Sequence, residues 1–171
     1  MQTLQSLRTT VYAIPVGARR KVVHAWVREF EAVIGSSTLY LNAYLELAVE
    51  VFSVEALYRK PGMYSLVHLM YVDMYRMTTV QKERLLQALR DNYNGYDDLD
   101  LCWHTGDLIA RCYEQNVALA AFSAMFDSAT PQGKEGVALG LDVLMRQPGR
   151  APDLGKRVRR ILGLPGVMPA R

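Results

Sequence analysis

The stretch from Thr38 to Tyr58 reads TLYLNAYLELAVEVFSVEALY, and its pattern decides the fold class. Nearly every position is apolar. Polar residues Asn42, Glu46, Glu50 and Ser53 follow i, i+4, i+8 and i+11, so on a helix they form one narrow stripe. A helix that is apolar around most of its circumference must be covered on several sides. The spacing predicts a central helix over 38–58 with other helices packed around it.

Working outward, the same period recurs. Val23, Trp26, Val27, Phe30, Val33 and Ile34 predict a helix that Gly35 stops, with Ser36 or Ser37 free to cap the next. A first helix is predicted over Thr3 to Ala13, before Pro15. Pro61 suits the first turn of a helix running to Met77. Thr78 or Thr79 caps a helix over 80–91. The segment from Asp91 to Asp100, DNYNGYDDLD, is a loop by composition. Asp97 or Asp98 starts a helix to Tyr113, and another covers Asn116 to Ser128. Thr130-Pro131 opens a helix to Gln147, which Pro148-Gly149 ends. Asp153 caps a short basic helix to Leu162. No strand alternation is present. Short connections between such helices imply antiparallel neighbours. The expected fold is all-α: a single-domain bundle or short stack of about eight antiparallel helices. A helical body over 1–147 is expected to carry a basic C-terminal helix and tail over 148–171, packed on it or extending from it.

Between Asp98 and Gln147 the helices are rich in small residues: Gly106, Ala110, Ala118, Ala120, Ala121, Ala124, Gly136, Ala138 and Gly140. Small residues let helix axes approach closely. The runs WHTGDLIAR from Trp103 and GKEGVALGLDVL from Gly133 give this region, about 50 residues, a texture that resembles HEAT or armadillo-type helical repeats. The resemblance implies a HEAT-like stack that binds other macromolecules rather than catalysing a reaction.

The chain has 171 residues, 50% hydrophobic and 22% charged, the composition of one globular domain. The longest run without Lys, Arg, Asp or Glu, from Ala32 to Leu45, is 14 residues, too short for a membrane-spanning helix. The net charge of +3 is unevenly spread. Met145 to Arg171 holds seven basic residues and one acid, which leaves the preceding 144 residues at −3. Whole-chain charge is therefore a poor guide to nucleic-acid binding, which is expected only through the basic tail. Cys102 and Cys112 lie ten residues apart on one predicted helix, about 15 Å along its axis, and cannot pair with each other. The first residues show no apolar secretory segment, so a reducing, cytoplasmic location is expected.

Motifs for phosphate-cradling loops, nucleophile elbows, zincins and di-iron bundles do not occur. No enzyme activity, cofactor or metal is expected. Asp100, His104, Asp107 and Arg111 share one helix stripe at i, i+4, i+7 and i+11. A histidine between two carboxylates suits a general base with a raised pKa. The same spacing suits a solvated, ion-paired stripe or a partner-binding one, and those readings are favoured. Met63, Met70, Met74 and Met77 share a face, as core fillers or as soft ligands for Cu(I). Tyr64, His68, Tyr71 and Tyr75 share another, in a chain with ten tyrosines. Tyrosine covers apolar surface while keeping its hydroxyl wet, which suits interfaces.

The loop combines acids and aromatics with no base. Tyr93, Tyr96, Asp97, Asp98, Asp100, His104 and Asp107 are accordingly the expected partner-binding residues. The expected partner is another protein, and the expected function is that of a protein-binding inhibitor. Its most concrete form is a bacterial immunity protein that occludes the active site of a co-encoded toxin, an assignment by type rather than by motif. The alternative is a nucleic-acid-associated or regulatory adaptor that uses the basic C-terminal helix.

Overall fold

The computed structural model describes residues 3–34 and 41–165. These form ten α-helices: α1 Leu4–Ala13, α2 Arg20–Ile34, α3 Leu41–Ser53, α4 Glu55–Tyr58, α5 Tyr64–Asp73, α6 Thr79–Asn92, α7 Leu99–Cys112, α8 Gln115–Phe126, α9 Pro131–Arg146 and α10 Leu154–Ile161. Two 3-10 turns, Met74–Arg76 and Tyr93–Gly95, follow α5 and α6. There is no strand among the described residues, and the fold is all-α.

The predicted central helix is present but divided. Val54 takes an extended conformation between α3 and α4, and the apolar pattern continues across the break. Periodicity therefore merges two helices that the backbone separates. Within α3, Tyr44, Leu45, Leu47, Ala48, Val49, Val51 and Phe52 are buried, while Asn42, Glu46 and Ser53 face outward. The start of the predicted helix, before Leu41, lies outside the described residues, as do Gly35 and the serines expected to cap it. The helix expected from Pro61 to Met77 is shorter, beginning at Tyr64 and giving way to the 3-10 turn after Asp73. Gly62 is the reason for the late start. Its φ of +93° breaks the helical path, and a Cβ there would come within 2.9 Å of His24 Nε2.

The caps follow the local sequence. Thr78 and Gln81 form a reciprocal capping box at the start of α6. Thr3, Asp98 and Thr130 accept backbone N–H bonds at the starts of α1, α7 and α9, and Pro131 fills the first position of α9. Asp153 stands before α10 but makes no side-chain cap bond. The ammonium of buried Lys60 donates to the carbonyl of Ile14, tying the end of α1 to the α4–α5 turn.

The most extensive packing is between α7 and α9. A Cβ at Gly106 would fall 2.2 Å from the carbonyl oxygen of Gly136, and one at Gly140 2.8 Å from that of Gly106. The two backbones touch where neither helix has a side chain. α8 packs on α9, α5 on α7, α6 on α3, and α1 and α5 on α2. Met63, Met70, Met74 and Met77 are all buried and fill the core. α10 lies on α8, with Leu154 and Val158 buried.

This crossing makes a differential prediction. Gly106→Ala is expected to cost at least about 2 kcal/mol of unfolding free energy, because backbone rather than a flexible side chain must move. Gly155→Ala on α10, whose Cβ would meet only the Met145 methyl at 3.6 Å, is expected to be neutral or stabilising by up to about 1 kcal/mol. Urea denaturation of both variants checks the contrast, and equal effects would contradict the close approach.

Candidate functional site

The two tyrosines expected at the partner surface are interior residues. Tyr93 and Tyr96 are both 0% exposed. The Tyr93 hydroxyl donates to the carbonyl of Gly133 at 2.9 Å, and a Cβ at Gly136 would lie 2.4 Å from that hydroxyl. Tyr96 donates to the carbonyl of Phe52 at 2.8 Å. Its own carbonyl accepts from the Thr130 hydroxyl at 2.6 Å and from the Cys102 thiol at 3.6 Å. Burial pushes both phenols well above their ordinary pKa. Tyr93 goes inside because α9 presents a glycine surface to it. Without side chains at Gly133 and Gly136 there is room for the Tyr93 ring and hydroxyl against α9, and the loop turns inward instead of projecting.

The acids of the same segment stay outside or half-buried, each with a structural partner. Asp98 accepts from the N–H of Leu101 at 3.0 Å as the α7 cap. Asp97 faces Arg59 at 3.6 Å. Asp100 pairs with Arg20 at 2.8 Å, and Asp107 with Arg111 at 2.7 Å. The His104 stripe is therefore laced by ion pairs. Asp107 binds Arg111 rather than His104, and Asp100 reaches across to α2.

What the structure assembles instead is an aromatic and imidazole cluster from three helices. His24 comes from α2, Tyr64, His68 and Tyr71 from α5, and His104 from α7. Tyr64 stacks on His104 with ring centroids 4.9 Å apart and planes 12° from parallel. His24 meets the edge of Tyr64 at 5.5 Å. His68 lies 6.2 Å from His104, edge to face, and 6.3 Å from Tyr71. The Arg20 guanidinium sits 5.9 Å from the Tyr64 centroid while it holds Asp100. The cluster borders a cleft of about 340 Å³ lined by Val67, His68, Tyr71, His104, Asp107, Leu108 and Arg111. On the other side of His68 a second cleft of about 350 Å³ runs between α2 and α5.

His104 is not the raised-pKa base that its two carboxylates predict. Burial lowers its pKa first and neighbouring His68 lowers it further, outweighing the opposite pull of Asp100 and Asp107. The favoured form is a neutral imidazole stacked on Tyr64. Both thiols are also pushed up by burial, Cys102 to about 12 and Cys112 to about 11, so they are protonated near neutrality and poor nucleophiles. Among the described residues no group of three His, Cys, Asp or Glu side chains is placed to hold a metal ion. The cleft offers stacking faces, two imidazoles and a paired Asp–Arg edge, a recognition chemistry.

Beside the cleft, the surface of α5 carries exposed aromatic and aliphatic groups. Tyr71 is 38% exposed, Val72 50% and Tyr75, in the following turn, 82%. Trp103 on α7 is 42% exposed, although the pattern of α7 places it on an apolar face. The row Tyr64, His68, Tyr71, Tyr75 is visible in the sequence, but its convergence with His24 and His104 is not. Each histidine lies alone on its own helix, with no spacing to connect them. No family model matches the chain, and no curated protein or solved structure matches it.

A histidine held neutral makes stability depend on pH with a definite sign. The His104 pKa is lowered on folding, so the unfolded chain binds more protons below the ordinary imidazole value of about 6.5. The His104 contribution is complete above that value and is lost as the pH falls through it toward the folded-state pKa. The urea midpoint is expected to drop more steeply between about pH 7.5 and 5.5 in the unaltered chain than in a His104→Gln variant. Parallel curves would show that His104 titrates alike in both states.

Proposed function

We propose that this chain is a protein-binding inhibitor, in its most concrete form an immunity protein that covers the active site of a co-encoded toxin. The observation that carries the reading is the exposed row of His68, Tyr71, Val72 and Tyr75 between two open clefts. A tyrosine left 82% exposed contributes little to its own fold. Against a partner it offers a large, stiff, amphipathic group, the type that dominates binding energy at interfaces. The clefts on either side supply complementary relief. Charges of both signs stand along them, Arg28 and Glu31 on one side and Asp107 and Arg111 on the other. Such alternation sets the register of a partner more than it adds affinity.

The reading keeps His104, Asp100 and Asp107 at or beside the recognition surface and moves its aromatic part from the loop to α5. Asp97 and Asp98 stand at the start of α7. No helix among the described residues is long and apolar enough to cross a membrane. Two free cysteines, one of them buried, fit a reducing cytoplasmic location.

The test is titration calorimetry of the purified chain against the product of the neighbouring reading frame. The expected result is tight binding that Tyr71→Ala with Tyr75→Ala weakens by about 2 kcal/mol or more, roughly thirtyfold in Kd. Melting curves are expected to change little, since both side chains are exposed. No binding by the unaltered chain would overturn the co-encoded partner. Undiminished binding by the variant would remove the α5 face from the interface.

A further inference from the structure

A second surface, formed by α8 and α10, has a different chemistry. The α10 sequence LGKRVRRI contains four cations and no acid, and α8, on which it lies, contains no charged residue at all. Among the described residues eight arginines elsewhere, Arg8, Arg20, Arg59, Arg76, Arg84, Arg90, Arg111 and Arg146, are in ion pairs, while Arg19, Arg28 and Arg150 are not. Among the described residues Lys156, Arg157, Arg159 and Arg160 have no such partner, so their charge stands uncompensated. Lys156, Arg159 and Arg160 are exposed on one side of the helix. Arg157 is half-buried and donates to Asn116 Oδ1 at 2.7 Å, which holds its guanidinium over α8. Between α8 and α10 runs a groove of about 240 Å³, bordered by Arg157, Arg160 and Ser123 over a floor of Leu119, Ala120 and Ile161.

We propose that this groove and the cations beside it form a binding surface for the phosphodiester backbone of a nucleic acid. Two guanidiniums and a hydroxyl around a groove of this size suit a phosphate group, with Arg157 already oriented. The charge spacing also fits. Lys156 to Arg160 spans about 6 Å of helix axis, over which one strand of a duplex presents about two phosphates at one per about 3.4 Å, and the long side chains reach the next phosphate on either side. The apolar face of α10 is already used: Leu154 and Val158 are buried against the body. The helix therefore cannot lay that face into a bilayer, as interfacial amphipathic helices do. Contacts of this kind hold phosphates without reading bases, so the binding is sequence-independent and sensitive to salt. The surface does not depend on the α5 face, and its test uses no protein partner.

The test is fluorescence anisotropy of a labelled DNA duplex of about twenty base pairs, titrated with the full chain between about 0.05 and 0.2 M salt. Four phosphate contacts predict that affinity falls by about a hundredfold across that range. Replacing either pair, Arg157→Gln with Arg160→Gln or Lys156→Gln with Arg159→Gln, is expected to lower the slope of log affinity against log salt by about two. The fourfold variant is expected to lose binding while its thermal melt is unchanged, because Leu154 and Val158 remain. Absence of binding to the duplex at the lowest salt overturns the proposal. Full binding by the fourfold variant also overturns it, because the phosphates then sit elsewhere. Binding to phosphatidylserine-containing vesicles without binding to the duplex overturns it in favour of a membrane surface.

Discussion

The fold depends on one close approach, the crossing of α7 and α9. Gly106, Gly136 and Gly140 bring the two backbones into contact, and no side chain fits between them. The missing Cβ atoms also leave space beside the helix carbonyls, whose second lone pair can still accept a hydrogen bond. Tyr93 uses this space, donating its hydroxyl toward the carbonyls of Gly133 and Cys102. Its ring draws the loop after α6 inward, where Tyr96 ties that loop to the end of α3. Tyr58, Tyr93 and Tyr96 then pack as one aromatic group at 4.9 and 5.5 Å. Two halves of the chain, α3–α4 and α7–α9, are thus joined through side chains that a composition reading places in solvent.

The position of α7 in turn creates the candidate site. With one side of α7 committed to α9, another meets α5, and this brings His104 onto Tyr64 and beside His68. Burial first and the nearby His68 second favour the neutral form of His104, since two charged rings at 6.2 Å would repel. The nearby acids are engaged by arginines, Asp100 by Arg20 and Asp107 by Arg111. The cleft that results is polar at its edges and aromatic on its walls, and the exposed tyrosines of α5 stand next to it. That juxtaposition of cleft and exposed aromatic groups is the basis for the proposal that the chain inhibits another protein.

The two surfaces differ in their physical logic. The α5 face offers aromatic area and charges of both signs, so it favours a partner of matching shape. The α8–α10 face offers charge of one sign over a shallow groove, so it favours a polymer with regularly spaced anions. The body without its last segment carries −3 and the last segment +6, and four of that segment's positive charges lie on α10.

How much was legible in the sequence follows from the range of the interactions. Helix class, the caps at Thr78, Asp98 and Thr130, and the apolar stripe of α3 depend on residues within about four positions of one another, a range over which neighbours on a helix meet. Sequence by itself therefore determined an all-α chain, most of its helix limits and the basic character of α10. It misjudged the Asp91–Asp100 segment, because Tyr, Asn, Gly and Asp signal a turn whichever way the turn faces. Only the tertiary structure decided that Tyr93 and Tyr96 go inside and that His24, His68 and His104 gather around Tyr64. Those outcomes depend on which helix faces meet and how closely. Both follow from the α7–α9 contact, made between glycines thirty and thirty-four residues apart that no local pattern connects.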